Sequence, residues 1–226
     1  MSNITTIELK NIHSEDIGDV LIKVERSFGF KFGKTELKDV KTFGELCDII
    51  ADKVSGYNLN DCTTQQAFYK IRDAITITLL IDKTNITNDT ELKTLFSRQN
   101  RRQKIATMEG LFGFKIRILR PKYWITVTFA LTFLASLVGL FISWKIGLAI
   151  LIFSIAGINL ATKFGNELDL NTVGQLAEKI SRENYLKSRR SPSTVNRAEI
   201  DKKVKELFIT DLDLGENVLT RQATFV

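Results

Sequence analysis

What this sequence lacks narrows its chemistry first. One histidine, two cysteines and two prolines occur among 226 residues. With a single histidine and no C-x-x-C, there is no ligand cluster with metal-site spacing, and no transition-metal site is expected. Cys47 and Cys62 fall in expected cytoplasmic helices or helix starts, where a disulfide would not persist, and Cys47 reads as core packing. No glycine loop is built to cradle phosphate, no nucleophile has a histidine partner elsewhere and no paired-carboxylate motif occurs, so the chain is not expected to be an enzyme. Residues 1 to 30 contain no apolar run of signal-peptide type. No aromatic-basic platform points to nucleic acid.

Charge is also absent, but only locally. Trp124 to Trp144 carry none, and after Lys145 a second uncharged stretch runs from Ile146 to Thr162. At about 1.5 Å per residue the first reaches roughly 30 Å, the thickness of a hydrocarbon core. The two stretches predict a transmembrane helical hairpin over 121–163. Ser143, Trp144, Lys145 and Gly147 supply its turn, and Pro121, Tyr123 and Trp124 mark the near interface. Before the first span stand Arg98, Arg101, Arg102, Lys104, Lys115, Arg117, Arg120 and Lys122, opposed only by Glu109. By the positive-inside rule that flank and both termini stay in the cytoplasm, which in a bacterium means the inner membrane. The same cations are expected to meet anionic headgroups at the bilayer surface, accounting for much of the net charge of +6. Two spans with no ionisable group between turn and flank do not make a transporter.

The polar arms contain a repeat. Glu8-Leu9-Lys10-Asn11-Ile12-His13-Ser14 matches Glu91-Leu92-Lys93-Thr94-Leu95-Phe96-Ser97, shifted by 83 residues. Phe28-Gly29-Phe30-Lys31-Phe32 matches Phe112-Gly113-Phe114-Lys115-Ile116, shifted by 84. Thr42-Phe43-Gly44-Glu45-Leu46 matches Thr172-Val173-Gly174-Gln175-Leu176, which lies beyond the apolar hairpin. The hairpin is therefore an insertion into the second copy.

Each copy reads as short helices. Ile17, Val20, Leu21 and Val24 form an apolar stripe after Ser14, a candidate N-cap, and Thr42 caps a helix whose Phe43, Leu46, Ile49 and Ile50 face inward. Residues 64 to 81 open the second copy, with Phe68, Ile71, Ile75 and Leu79 as the expected buried face. Near the C-terminus Ile200, Val204, Leu207 and Phe208 form another such stripe, followed by Leu219-Thr220-Arg221-Gln222-Ala223-Thr224-Phe225, which echoes Ile86 to Leu92. That is an opening helix and loop with nothing after it, whereas the N-terminus begins within such a loop. Residues 196–226 are thus expected to complete the first copy, from the same chain or from a neighbouring one. The expected organisation is a first domain at 1–60 completed by 196–226, a second at 61–120 with 164–187, the hairpin at 121–163, and a linker at 188–195 whose Ser, Pro and charge content reads as a solvated hinge.

This pattern resembles the acyl carrier proteins, in which a long first helix leads to a V-T-x-x-A-S-F loop, a serine opens the second helix, and a threonine opens the last. Leu219 to Phe225 and Ile86 to Leu92 stand where the family has its loop, Phe28 and Phe112 where it has its post-helix phenylalanine, and Thr42 and Thr172 where its last helix begins. The resemblance implies an all-α chain: two small carrier-like helical bundles plus the two-helix hairpin. It places Ser14 at the family's attachment point for 4'-phosphopantetheine, flanked by His13, Glu15 and Asp16, with Asp19 adding acidity for basic partners. Where the family has D-S-L this chain has His13-Ser14-Glu15. Two functions follow: a membrane-anchored acyl-carrier-like module presenting a thioester cargo or a binding surface to cytoplasmic or membrane-bound partners, or a non-catalytic adaptor that keeps the carrier fold without a prosthetic group.

Overall fold

The computed structural model describes residues 12–54, 56–191, 193–215 and 219–225. Glu8 to Asn11 of the repeat, and residues 216–218 and 226 of the tail, lie outside them. In chain order the elements are α1 Ser14–Phe28, α2 Phe43–Lys53, β1 Tyr57–Asn58, α3 Thr63–Leu79, α4 Leu92–Leu95, α5 Arg101–Phe112, β2 Leu119–Arg120, α6 Tyr123–Ile142, α7 Trp144–Lys163, β3 Glu167–Leu168, α8 Val173–Glu183, α9 Tyr185–Ser188, β4 Thr194–Val195 and α10 Arg197–Asp211. Among the described residues the architecture is helical, with four two-residue strands. β1 pairs in parallel with β4, and β2 pairs antiparallel with β3. By contacts the chain divides into Met1–Ile71 with Leu176–Val226, and Arg72–Gln175. The divisions fall inside α3 and α8, while the sequence placed its boundaries near residues 60 and 187.

In the first unit α1, α2 and α10 surround one core. Val20, Val24, Phe28, Phe43, Leu46, Ile50, Val204, Leu207 and Phe208 are all buried in it, joined by Leu219 and Ala223 of the tail. Phe28 stacks on Tyr185 with ring centroids 4.8 Å apart, and Phe43 meets Phe208 edge-on at 5.3 Å. α10 and residues 219–225 of the same chain thus pack on α1 and α2.

The tail is held by backbone as well as by side chains. A helix leaves its first amides without internal partners. At the start of α2 these are met by the tail: Phe43 N–H donates to the Ala223 carbonyl and Gly44 N–H to the Arg221 carbonyl, both at 2.8 Å. Thr42 accepts from Glu45 N–H while Glu45 accepts from Thr42 N–H, a reciprocal cap. The second unit repeats this with different residues. Val173 N–H donates to Thr90, Gly174 N–H to Asn88, and Thr172 and Gln175 make the reciprocal cap. Close approach requires glycine at the first place and favours it at the second: a Cβ on Gly44 would lie 2.8 Å from the Arg221 carbonyl oxygen, an overlap, and one on Gly174 would lie 3.1 Å from that of Asn88, a tight contact.

The other end of the repeat is also built twice. α1 ends at Gly29 and α5 at Gly113, both left-handed, with φ of 71° and 70°. Glu25 then accepts from Phe32 N–H and the Lys31 ammonium, as Glu109 does from Ile116 N–H and Lys115. The buried residues of α10, Ile200, Lys203, Val204, Leu207 and Phe208, match Ala67, Lys70, Ile71, Ala74 and Ile75 of α3 in order and spacing, and all but Lys70 of these are buried there too. This corrects the expected inward face of α3. Phe68 and Leu79 are only half-buried, because the slots taken by Leu207 and Phe208 in α10 hold Ala74 and Ile75 in α3.

α6 and α7 are each 20 residues and apolar enough to cross a membrane, with 6% and 17% of their most apolar windows buried. They pack against each other along small residues. Gly147 lies against the backbone of Gly139 and Leu140, and the Ser154 hydroxyl donates to Thr132 at 3.1 Å. The turn is tighter than expected, since Ser143 alone separates the helices and Lys145 and Gly147 belong to α7. The chain enters and leaves the hairpin through the β2–β3 pair, a two-stranded neck.

Two measurements test this packing. The Cys47 thiol is buried and pushed up to about 12, chiefly by that burial, whereas Cys62 is exposed. A maleimide should label Cys62 alone in the intact chain, even at pH 9, and both cysteines after deletion of residues 197–226. At Glu25, burial would raise the carboxyl, but the Lys31 ammonium and the Phe32 N–H outweigh it and hold the group below its ordinary value. Its stabilisation is therefore complete above the ordinary carboxylate range and is lost as pH falls through the lowered value. Glu25→Gln should cost about 1 kcal/mol at neutral pH and flatten the acid limb of a stability-against-pH curve.

Candidate functional site

The candidate attachment residue, Ser14, stands at the N-terminus of α1. The helix starts at Ser14, with His13 in extended conformation as the capping residue and no side-chain cap bond. Asp16 and Ile17 N–H both donate to the His13 carbonyl, at 3.0 and 3.3 Å. This corrects Ser14 as the N-cap: the backbone has already turned helical there, so its hydroxyl stands at the first helical position. His13, Ser14, Glu15 and Asp16 are all exposed. The arrangement offers a free hydroxyl at the positive end of a 15-residue helix, where a phosphodiester is electrostatically favoured. Ser97, which the repeat pairs with Ser14, is likewise exposed, but lies ahead of the basic helix α5.

The basic flank before α6 divides into groups with different work to do. Arg101 is buried: its Nε donates to the Phe96 carbonyl at 3.0 Å and its Nη1 to that of Asn166 at 2.5 Å. It staples the segment before α5 to the chain leaving α7. Burial removes it from the membrane-facing set in which the sequence placed it, because a guanidinium spent on two carbonyls cannot also meet headgroups. Arg98, Arg102, Arg117, Arg120 and Lys122 are exposed, and Lys104 is half-buried. Arg98 pairs with Glu167 at 2.6 Å, Arg120 with Asp169 at 3.4 Å, and Arg102 lies over the Phe164 ring.

A third cluster was missed in the sequence. The two ends of segment 188–195 are not solvated, since Ser188, Arg189, Thr194 and Val195 are buried, while Arg190, Ser191 and Ser193 between them are exposed. Arg189 is fully enclosed, donating to Thr63 at 2.7 Å, to Thr194 at 3.1 Å and to the Asp61 carboxylate. The Lys70 ammonium, lowered by burial, donates to the carbonyls of Lys187 and Arg189. Nearby, buried Lys203 donates to Thr64, Ser181 and Glu206 at 2.9 to 3.1 Å. Each of the three cations is tied to acceptors within the fold, so the cluster works as a clasp. Lys203 left a trace in the sequence, sitting between Ile200 and Val204 on an inward arc. Arg189 left none, because a Lys-Ser-Arg-Arg-Ser-Pro-Ser run has the composition of an exposed segment.

Comparison of the chain with protein-family models, with curated proteins and with solved structures found no match.

Arg189→Met should leave Asp61 without its ion pair and the buried Thr63 hydroxyl without the donor it accepts from, costing about 2 to 3 kcal/mol. Hydrogen exchange at Thr194 and Val195 should accelerate accordingly, and Asp61→Asn should cost less, because Asp61 retains solvent.

Proposed function

We propose that this protein is a membrane-anchored, non-catalytic carrier-like module. The α6–α7 hairpin spans the bilayer, both termini lie in the cytoplasm, and the inner membrane is the site in a bacterium. The first unit presents the start of α1 to cytoplasmic or membrane-bound partners, with Ser14 as the attachment point for 4'-phosphopantetheine and a thioester cargo.

The observation that carries the membrane half is the outward face of the hairpin. Phe141 is 93% exposed, Ile142 85% and Leu131 61%, on helices that bear no charge between Trp124 and Trp144. Water does not tolerate an apolar surface of that extent, whereas hydrocarbon does. Confinement to the bilayer raises the local concentration of the module for membrane-bound partners. The twice-built helix, loop, glycine turn and capped last helix support the carrier half. So does the exposed Ser14 hydroxyl beside Glu15 and Asp16.

A second reading is favoured by the flanks of Ser14. With His13 before it and Glu15 after it, the serine lacks the family's usual setting. The same surface then serves as an adaptor with no prosthetic group.

Intact-mass measurement on protein purified from its native membrane separates the two. The carrier reading expects a gain of one phosphopantetheine that disappears in Ser14→Ala, and an unmodified native chain leaves the adaptor. Recovery of the chain in the aqueous fraction without detergent overturns both.

A further inference from the structure

The base of the hairpin holds a groove of about 510 Å³. Its walls come from Ile125 and Phe129 of α6 and from Phe153, Ala156, Gly157 and Leu160 of α7. Gly157 makes the close wall possible: the Phe129 ring lies against its α-carbon, where a side chain would overlap the ring. The rim carries Arg98, Lys122 and Glu167. Arg102 sits 5.1 Å from the centre of Phe164, which also lines the groove. Glu167 is occupied by Arg98 at 2.6 Å, so the groove's two cations, Arg98 and Lys122, share one carboxylate and the rim is net positive.

We propose that this groove is a specific site for one anionic phospholipid, its phosphate at the Arg98 and Lys122 rim and one acyl chain lying along Phe129, Gly157 and Leu160. The inference rests on the hairpin spanning the bilayer, and three observations select the occupant. The walls lie on the outward surface of spanning helices, so hydrocarbon fills them. From Phe153 to Ala161 the α7 wall runs roughly 12 Å, about the depth of one leaflet and too short to seat a second spanning helix. The cations line the groove together with Pro121, Gly165 and Glu167 of the neck, and Lys122 directly precedes Tyr123 and Trp124, residues suited to the headgroup level. The phosphate supplies the negative charge that Glu167 only partly provides. The basic flank would otherwise attract anionic lipid diffusely, whereas the groove fixes a single molecule by headgroup and chain together.

Native mass spectrometry of the full chain in non-ionic detergent tests this, using an equal mixture of phosphatidylglycerol and phosphatidylcholine with matched acyl chains. One phosphatidylglycerol should be retained in preference. Arg98→Gln with Lys122→Gln should reduce its retention by about fivefold per cation removed, leaving phosphatidylcholine unchanged. Ala156→Trp, which fills the groove from an exposed position, should reduce retention of both lipids. Arg98→Lys with Lys122→Arg keeps the charge and should keep the preference. Equal retention of the two lipids, a preference that survives the double glutamine variant, or a lipid-free dimer seated through α6 and α7 would overturn the site. Loss of lipid preference in detergent-extracted protein sinks the groove alone, while a chain that needs no detergent sinks the membrane reading beneath it.

Discussion

The unsatisfied amides at the start of a helix impose the constraint on which both units are built. Neither α2 nor α8 can begin inside its unit unless something supplies carbonyls for its first two N–H groups. In each case the supplier is a loop distant in sequence, running antiparallel through one bridge: Thr42 to Thr224, and Glu91 to Thr172. The carbonyls come close enough that a side chain opposite them would overlap at Gly44 and crowd at Gly174. Threonine caps the helix, glycine admits the loop, and glutamate or glutamine closes the cap, which accounts chemically for the Thr-x-Gly-Glu/Gln run found twice. The apolar helix that feeds each loop is then fixed in place, α10 in one unit and α3 in the other.

The same joint explains how a hairpin can interrupt the second copy without destroying it. The insertion falls between the glycine turn after α5 and the capped start of α8, where β2 and β3 bring the two strands of chain together. Leu119 pairs with Leu168 and Arg120 with Glu167, and Arg101 ties the neck from the side. A segment inserted at a closed neck adds no strain to the elements on either side. What accompanies it is a group of exposed cations, Arg98, Arg102, Arg117, Arg120 and Lys122.

Much of this could be read from residues alone, and the limits have physical causes. Helical stripes such as Val20, Val24 and Phe28, the charge-free spans and the echo of Leu219–Phe225 in Ile86–Leu92 are local patterns. The backbone bonds reproduce that echo position by position, Arg221 with Asn88 and Ala223 with Thr90. The start of α1 was legible only to one residue, since a serine before acidic residues has the look of a cap whether or not the carbonyl one step earlier has taken the role. Arg101 and Arg189 were misplaced for a common reason. Burying a guanidinium depends on acceptors brought from elsewhere in the chain, Asn166 for one and Asp61 and Thr63 for the other, and local composition does not reveal them. The face of α3 was misjudged because alanines give a weak hydrophobic signal, though they suit close packing.

The split construction of the first unit also orders events in time. A ribosome makes α1 and α2 early, then the hairpin, and only afterwards the helix and loop that cover Phe43, Leu46 and Cys47. During that interval the early helices lack the partner for their apolar faces and the acceptors for their first amides. Engagement of the hairpin can therefore precede closure of the first unit, and a stretch made after the hairpin acts as the latch on helices made before it.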